Sequence, residues 1–283
     1  MKVLVTGASG TLGSQVALAL QQAGIPLVTP THQAVDLTDA AAITKMLETH
    51  APTHIVNCAA QRRPDCCEAG DEAVIALNVL LPKRLAAYGC PLVHISTDYV
   101  FNGANAPYAE DARRCPLNAY GRQKAEAEHL IEDLPNVLIL RVPILYGPIQ
   151  DWSNSAVTVL AANLLKAKGA SVMMDDIAIR YPTFTCDIAQ QIVRLLPEVG
   201  KRFQGIYHYS GEVPMTKFTM GMTMAPLIGC DATQCLPDHR PTKVPRPYDC
   251  HLSTRKLRQT GYFVKPTSFA VALIKTLTAA QAE

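Results

Sequence analysis

The chain has 283 residues, of which 48% are hydrophobic and 18% are charged, so it can bury a large core and is not disordered. Its 26 basic and 24 acidic residues leave a net charge of +2, which gives no electrostatic indication of binding to nucleic acid or to a membrane surface. No apolar stretch approaches the roughly 20 residues that a membrane-spanning helix needs.

Short apolar runs alternate with helical stretches in the first half of the chain. The first run, "KVLVT", is apolar and β-branched, as a buried parallel strand should be. The alternation predicts strands at 2–6, 26–29, 54–59, 92–96 and 137–142. A long loop follows the fourth strand, and helices are predicted at 11–23, 36–50, 71–88 and 118–133. Repeated strand–helix units predict an α/β fold, a doubly wound parallel sheet with helices on both faces.

After residue 148 the pattern becomes less regular. Short strands are predicted near 171–174 and 205–209, and helices near 152–167, 186–196, 216–228, 253–259 and 267–279. We therefore expect a dinucleotide-binding domain at 1–148 and a smaller, mixed substrate or partner lobe at 149–283, which completes a cleft. Some segments of the lobe are expected to return to the first domain.

A glycine-rich loop, "GASGTLG", lies between the first strand and the first helix. Gly7 permits a tight turn, Gly10 lets the backbone approach a pyrophosphate, and Gly13 lets the helix pack closely on the strand. The amides at the start of the helix then face the phosphates. Alternatively, the glycine-rich loop is a structural turn that binds no ligand. The loop predicts a dinucleotide site with further contacts at Ser9, Thr11 and Leu12.

The loop after the second strand bears on the choice of cofactor. Its sequence, "TPTHQ", has no Asp or Glu that would bind a ribose 2′-hydroxyl, as an NAD enzyme requires. It has no Arg either, but His32 and the neighbouring hydroxyls can meet a 2′-phosphate. The loop therefore favours NADP(H) and leaves NAD(H) open. Asp36, in "VDLTD", either binds the adenine amino group or caps the helix that follows.

A tyrosine and a lysine lie one helical turn apart in "YGRQK". At this spacing Tyr120 and Lys124 share one face of the predicted helix. The pair alone is equally consistent with a helix face that is exposed to solvent. A lysine ammonium favours phenolate, so we expect Lys124 to lower the pKa of Tyr120. Thr97, with Ser96 beside it, ends a predicted strand, where parallel sheets place their ligands. Together these residues predict the proton-transfer group of a reductase.

Six segments carry a resemblance to a known family. They are "TGASGTLG", "NCAA", "STDYVFNG", "PLNAYGRQKAEAE", "RVPILYG" and "RPYDCHLSTRKL", which span nearly the whole chain. They resemble the extended short-chain dehydrogenase/reductases, in the branch that contains dTDP-4-dehydrorhamnose reductase and the regulatory β subunit of methionine adenosyltransferase. The resemblance implies that Thr97, Tyr120 and Lys124 are catalytic. It also implies cofactor contacts at Leu37, Ala59, Ala60, Pro143 and Asn78, the last of which is alternatively expected to bond neighbouring backbone.

The same branch implies different functions. In one, the chain holds NADP(H) and binds a methionine adenosyltransferase catalytic subunit as its regulatory partner. In another, it is an NADPH-dependent enzyme that reduces a 4-keto nucleotide sugar, with Tyr120 as the proton donor. A third interpretation is an NADP-sensing scaffold.

Among the segments that are similar to the β subunit, two differ from the corresponding motifs of the sugar reductases. One is "AAQRRPDCCE", and the other is "RVPILYG", in which Ile144 stands where the sugar reductases carry a Trp that faces the sugar. Arg62 and Arg63 suit a diphosphate or a carboxylate at the mouth of the cleft, or form surface salt bridges. A sugar stacked on Trp152 is an alternative. The remaining expected substrate contacts are Asp98, Arg180 and Arg246.

The nine cysteines and eight histidines show none of the usual metal-ligand spacings. We therefore expect reduced thiols, ordinary surface or core histidines, and no metal site. No leader pattern precedes the first predicted strand, so we expect a cytoplasmic protein.

Overall fold

The computed structural model describes residues 1–148 and 151–279. Its strands are β1 (Val3–Thr6), β2 (Leu27–Val28), β3 (His54–Asn57), β4 (Leu92–Thr97), β5 (Val137–Val142), β6 (Leu145–Tyr146), β7 (Val172–Asp175), β8 (Thr183–Phe184), β9 (Gly205–His208) and β10 (Cys235–Asp238). Its α-helices are α1 (Gly13–Gln22), α2 (Ala40–His50), α3 (Pro64–Cys67), α4 (Glu72–Ile75), α5 (Leu81–Ala87), α6 (Ala119–His129), α7 (Thr158–Ala167), α8 (Thr185–Leu195), α9 (Lys217–Met224), α10 (Arg255–Gln259) and α11 (Phe269–Ala279). A π-helical segment joins α4 to α5 at Ala76–Leu80, and 3-10 turns lie at Asp98–Val100, Trp152–Asn154, Leu196–Glu198, Ala225–Ile228 and Ala232–Gln234.

One parallel sheet forms the centre of the molecule, with strand order β2-β1-β3-β4-β5-β9. Parallel strands need cover on both faces, and Val3, Leu4 and Val5 of β1 accordingly have no exposed surface. The strand order reverses between β1 and β3, and ligands bind outside the carboxyl ends of the strands at such a point. The prediction of an α/β, doubly wound parallel sheet is confirmed.

Helices pack on both faces of the sheet. On one face, α1 and α8 bury Leu20 and Ile192 among the side chains that β1 turns to that side. On the other face, α2 and α5 bury Met46 and Leu85 together with Leu4 of β1. Because successive side chains of a strand point to opposite faces of the sheet, one strand contributes to two separate apolar layers.

The second half of the chain contributes to this sheet and to a separate lobe. Strand β9 pairs with β5, with Tyr207 opposite Leu140, and α8 packs on α1. The lobe has its own core around Tyr146, Leu164 and Met220, beside the strand pairs β7–β10 and β6–β8. Within the described residues, no helix is long and apolar enough to cross a bilayer.

Some predicted elements differ from the structure for local reasons. The helix predicted near 152–167 begins at Thr158, because the Asp151 carboxylate accepts the Ser153 amide at 2.8 Å and closes a separate turn first. The helix predicted at 71–88 is interrupted by the π-helical segment. The sequence does not predict β10, because Pro237 within it argues against a strand.

Candidate active site

The glycine loop folds tightly against the end of β3. Gly7 has a φ of +69°, and a Cβ there would lie 2.7 Å from the backbone nitrogen of Ala59. The Gly10 amide donates to the Gly7 carbonyl at 3.0 Å, and a Cβ at Gly13 would lie 2.1 Å from that same oxygen. Both ends of the loop therefore require glycine. Ser9 and Gly10 are exposed, so the middle of the loop is accessible to a ligand.

The loop after β2 is exposed at His32 and closes with a turn at Asp36. The Asp36 carboxylate accepts the Thr38 amide at 2.8 Å and the Thr38 hydroxyl at 2.7 Å, and these bonds lower the pKa of the carboxyl. The cap of α2 is Asp39, which accepts the Ala41 amide at 2.8 Å. The helix-capping alternative for Asp36 is therefore wrong.

A cavity of about 800 Å³ opens at the carboxyl ends of the strands. Of the residues that the sequence predicts for the site, those that line the cavity are Gly10, Thr11, Leu12, Gly13, Ala60, Arg62, Arg63, Thr97, Asp98, Tyr120, Lys124, Pro143, Ile144, Arg180 and Arg246. The others lie outside the lining: Gly7, Ser9, His32, Asp36, Leu37, Ala59 and Asn78.

Thr97 and Tyr120 meet because α6 approaches the end of β4 closely. Asn118 caps α6 by accepting the Gly121 amide at 3.0 Å. A Cβ at Gly121 would lie 2.2 Å from the Tyr99 carbonyl oxygen, so glycine lets the helix start against the turn that follows β4. The Tyr120 side chain then hydrogen-bonds the Thr97 side chain.

Burial governs the protonation of both Tyr120 and Lys124. It raises the pKa of Tyr120; the bond to Thr97 opposes this rise and the charge of Asp98 adds to it. Burial also lowers the pKa of Lys124 to about 8. The expected fall of the Tyr120 pKa is therefore wrong, because desolvation of the phenol outweighs the interaction that lowers the pKa. The phenol is held in its protonated form.

The Lys124 amine is buried against β4. It donates to the Ile95 carbonyl at 2.7 Å and lies 2.9 Å from Nε2 of His94. The sequence marks His94 only as an ordinary core or surface residue. No local pattern could have identified it, because its contact with Lys124 arises when α6 packs on β4.

Asp98 and Arg180 place opposite charges in the wall of the cavity, and their exposed fractions are only 4% and 3%. Arg180 donates to the Ile179 carbonyl at 2.8 Å and to the Pro247 carbonyl at 3.0 Å. Its guanidinium lies 5.5 Å from the centre of the Tyr99 ring. Burial raises the pKa of Asp98 to about 6, although the Arg180 charge acts in the opposite direction.

The part of the cavity that faces the lobe is rich in cations. Arg246 donates to Asp65 at 2.9 Å, and Lys217 lies in the same lining, where burial and the Arg246 charge lower the pKa of its amine. Arg62 and Arg63 line the cavity as well. No sequence pattern predicts Lys217, since a lysine at a helix start carries no functional signal. This excess of positive charge suits an anionic ligand.

Ile144 and Trp152 both pack against the core of the lobe. Ile144 also lines the cavity, whereas Trp152 is not among the lining residues, which argues against a sugar stacked on it. Ser96 lines the cavity too, and its buried hydroxyl has no hydrogen-bond partner among the described residues. A buried hydroxyl of this kind can accept a bond from a ligand or a water molecule.

Asn78 is buried in the π-helical segment, where it holds the backbone of Gln61. Its side chain accepts the Gln61 amide at 2.9 Å and donates to the Gln61 carbonyl at 3.0 Å. It also donates to Gln123 of α6 at 2.8 Å. Asn78 thus bonds neighbouring backbone and fixes the chain directly before Arg62.

Residues 1–282 match the model of one family, described as the RmlD substrate binding domain. The chain belongs to this family. Methionine adenosyltransferase 2 subunit beta from Xenopus tropicalis is 34% identical to it, over 98% of this chain and 87% of the relative. dTDP-4-keto-6-deoxy-D-glucose reductase from Streptomyces niveus is 35% identical, over 83% of this chain and 81% of the relative. A dTDP-4-dehydrorhamnose reductase structure from Clostridium acetobutylicum has a TM-score of 0.88 at 27% identity, over 99% of this chain and 100% of that one.

The proteins that are similar to this chain thus include both a methionine adenosyltransferase subunit and reductases. The resemblance inferred from the motifs is confirmed for both kinds of protein that it named. Because the two sequence relatives are 34% and 35% identical to the chain, the choice between their functions depends on the chemistry of the site.

Proposed function

We propose that the protein binds NADP(H) in this cavity and reduces a carbonyl group of a nucleotide-linked sugar. One observation supports this best: a single cavity joins the glycine loop, the group of Thr97, Tyr120 and Lys124, and a cationic end. A protein that only holds the dinucleotide needs the first part alone. In this proposal residues 1–148 supply the cofactor half, and residues 149–283 supply a lobe with substrate contacts, apart from segments such as β9 and α8 that return to the central sheet.

The glycine loop fits a dinucleotide because no side chain occupies the place where phosphates must approach. A Cβ at Gly10 would meet only the Gly7 carbonyl oxygen, at 3.2 Å, so the backbone itself faces the cavity. We assign Lys124 and Pro143 to the nicotinamide end of the same site. When bound, the nicotinamide supplies the hydride. The absence of an acidic side chain in the segment directly after β2, residues 29–33, together with the exposed His32, supports NADP(H) over NAD(H).

The chain's own residues supply the proton and position the substrate. Burial keeps Tyr120 protonated, so its hydroxyl can donate to the carbonyl oxygen as negative charge develops there. The Thr97 side chain hydrogen-bonds the phenol, and the Thr97 hydroxyl itself donates to the Asp98 carboxylate at 3.1 Å. Thr97 is buried and Tyr120 is half-buried, so the wall of the cavity shields both side chains partly from solvent.

The cationic end of the cavity supports an anionic substrate. Arg180, Lys217 and Arg246 come from the second half of the chain, and Arg62 and Arg63 come from the segment after β3. A diphosphate presents the charge and the paired oxygens that guanidinium groups bind well. The relative from Streptomyces niveus, which is named for a dTDP-4-keto-6-deoxy sugar, supports a 4-keto nucleotide sugar as the substrate class.

The test is NADPH consumption by the purified protein in the presence of a dTDP-4-keto-6-deoxy sugar. We expect substrate-dependent consumption that falls about 10²-fold or more in Tyr120→Phe, because a positioned acid contributes a factor of that size. Tyr248→Phe is the control, since Tyr248 is 58% exposed, and it should keep the wild-type rate. Equal background consumption by the wild type and Tyr120→Phe would contradict the reductase proposal. Replacing NADPH by NADH tests the cofactor preference.

A second candidate function is regulation of a methionine adenosyltransferase. It is favoured by the 34% identity to methionine adenosyltransferase 2 subunit beta and by Ile144 in the cavity wall. In this proposal the protein holds NADP(H) without turnover and binds the catalytic subunit. Co-migration with the methionine adenosyltransferase of the same organism in size exclusion, with and without NADP, tests it. The absence of co-migration in both conditions would exclude the regulatory function. A protein that binds NADP but neither consumes NADPH with the sugar nor co-migrates with the catalytic subunit would fit the NADP-sensing scaffold.

A further inference from the structure

A chain of buried hydrogen bonds runs from β1 through β3 and β4 to Lys124. The Thr6 hydroxyl donates to Oδ1 of Asn57 at 2.7 Å, and the Ala59 amide donates to the same oxygen at 3.2 Å. Nδ2 of Asn57 lies 3.1 Å from Nδ1 of His94, and Nε2 of His94 lies 2.9 Å from the Lys124 amine. The four linked side chains have at most 1% of their surface exposed.

The hydrogen-bond donors determine the direction in which this series of hydrogen bonds runs. Because the backbone amide of Ala59 can only donate, the side-chain oxygen of Asn57 must face it, and the side-chain nitrogen of Asn57 must face His94. That nitrogen also can only donate, so Nδ1 of His94 accepts and the neutral ring carries its hydrogen on Nε2. The N–H at Nε2 therefore faces the Lys124 amine.

The direction of these hydrogen bonds means that His94 offers the Lys124 amine a donor. A lysine ammonium has three donors and no acceptor. If Lys124 were charged, two N–H groups would face each other across the 2.9 Å that separates it from His94. A neutral amine instead accepts from His94 with its lone pair and donates to the Ile95 carbonyl at 2.7 Å.

We propose that His94 is a positioning residue that donates to the Lys124 amine and favours its neutral form. A charged Lys124 has to exchange the His94 contact for another partner, so proton uptake by Lys124 is coupled to the position of its amine. Any effect of the His94 contact on turnover rests on the proposed function, because Lys124 belongs to the proposed active site. The hydrogen-bond pattern itself requires neither cofactor nor substrate.

The ionisable groups around the amine act on its charge in both directions. Burial lowers the pKa of Lys124 to about 8 and the pKa of His94 well below its ordinary value, so the ring is neutral. Burial raises the pKa of the Cys58 thiol to about 12, which keeps it uncharged. Tyr120 on the same helix is also protonated, whereas the charge of Glu128 acts in favour of the ammonium.

Nitrogen NMR of histidine-labelled protein tests the tautomer directly. The His94 signals are identified by their loss in His94→Gln. We expect a neutral ring with its hydrogen on Nε2 at neutral pH. A hydrogen on Nδ1, or an imidazolium, would overturn the proposal. The measurement needs no turnover, so a failed reductase assay and a failed tautomer prediction remain distinguishable.

Two variants test the effect on Lys124, whose titration is followed by carbon NMR of labelled lysine. Asn57→Leu removes the donor that orients the ring, so His94 can turn an acceptor toward an ammonium. We expect the titration of Lys124 to rise by about one pH unit or more, a change of about tenfold in proton affinity. His94→Gln keeps an acceptor toward Asn57 and a donor toward Lys124, and should stay close to the wild type. His54→Gln is the matched control, and an unchanged titration in folded Asn57→Leu would overturn the proposal.

Discussion

The guanidinium of Arg141 donates two hydrogen bonds to the carboxylate of Glu128, at 2.9 and 2.7 Å, and neither side chain has any exposed surface. Arg141 lies on β5, and Glu128 lies near the end of α6, the helix that carries Tyr120 and Lys124. Arg114 donates to the same carboxylate at 2.7 Å. The pair therefore ties the helix of the proposed active site to the central sheet.

Loss of this pair should destabilise the protein strongly. Arg141→Met leaves the Glu128 charge buried without its principal partner, so the free energy of unfolding should fall by about 3–5 kcal/mol. Arg114→Met is the matched control: the Arg114 side chain is 22% exposed and Glu128 keeps Arg141, so we expect a loss nearer about 1 kcal/mol. Urea unfolding measures both values, and equal losses would contradict the assigned roles.

Two glycine variants separate backbone strain from steric collision. Gly7 and Gly24 have φ values of +69° and +67°, but a Cβ at Gly24 has open space, whereas one at Gly7 meets the backbone of Ala59. Gly24→Ala should cost about 1–2 kcal/mol of strain and leave NADPH affinity unchanged. Gly7→Ala should cost more and weaken NADPH binding about tenfold or more, which corresponds to about 1.4 kcal/mol. Thermal unfolding and NADPH fluorescence titration measure these effects, and an intact affinity in folded Gly7→Ala would refute the assigned cofactor site.

The cation at position 246 should act on substrate binding and leave the cofactor unaffected. Arg246→Ala should raise KM for the nucleotide sugar about tenfold or more, because a hydrogen bond to a charged group contributes about 1.5–3 kcal/mol. NADPH affinity should stay the same. Arg240→Ala is the control, since Arg240 also pairs with an aspartate, at 2.7 Å, but is not among the residues that line the cavity. An equal rise of KM in both variants would point to a general charge effect and contradict a site at Arg246.

The buried carboxyl of Asp98 should make stability depend on pH. Its pKa rises from 3.8 to about 6 on burial, so the folded protein holds the proton more tightly than the unfolded chain. The free energy of unfolding should therefore fall as pH rises from about 4 to about 6, by up to about 3 kcal/mol. Asp98→Asn should remove this part of the fall. Urea unfolding of the wild type and the variant across this range measures it, and parallel pH curves would contradict the assignment.

Several features of the fold and the site could be predicted because they depend on neighbouring residues. The apolar runs predict β1 to β5 and β9 within a few residues of their observed limits. The glycine spacing predicts a loop in which Gly7 and Gly13 indeed have no room for a side chain. The spacing of Tyr120 and Lys124 predicts one helix face, and both line the same cavity.

Other features depend on which distant segments pack together, and no local pattern contains that information. Lys217 reaches the cavity from a lobe whose strand β10 the sequence does not predict. The pKa values of Tyr120 and Lys124 are set by desolvation, which exists only once the core is assembled. His94 and Lys124 are 30 residues apart in the sequence, and their contact joins strand β4 to helix α6. The sequence by itself thus determined the strand–loop–helix unit and the candidate residues for proton transfer, whereas the tertiary structure decided their protonation and their partners, because burial and long-range hydrogen bonds are properties of the packed chain.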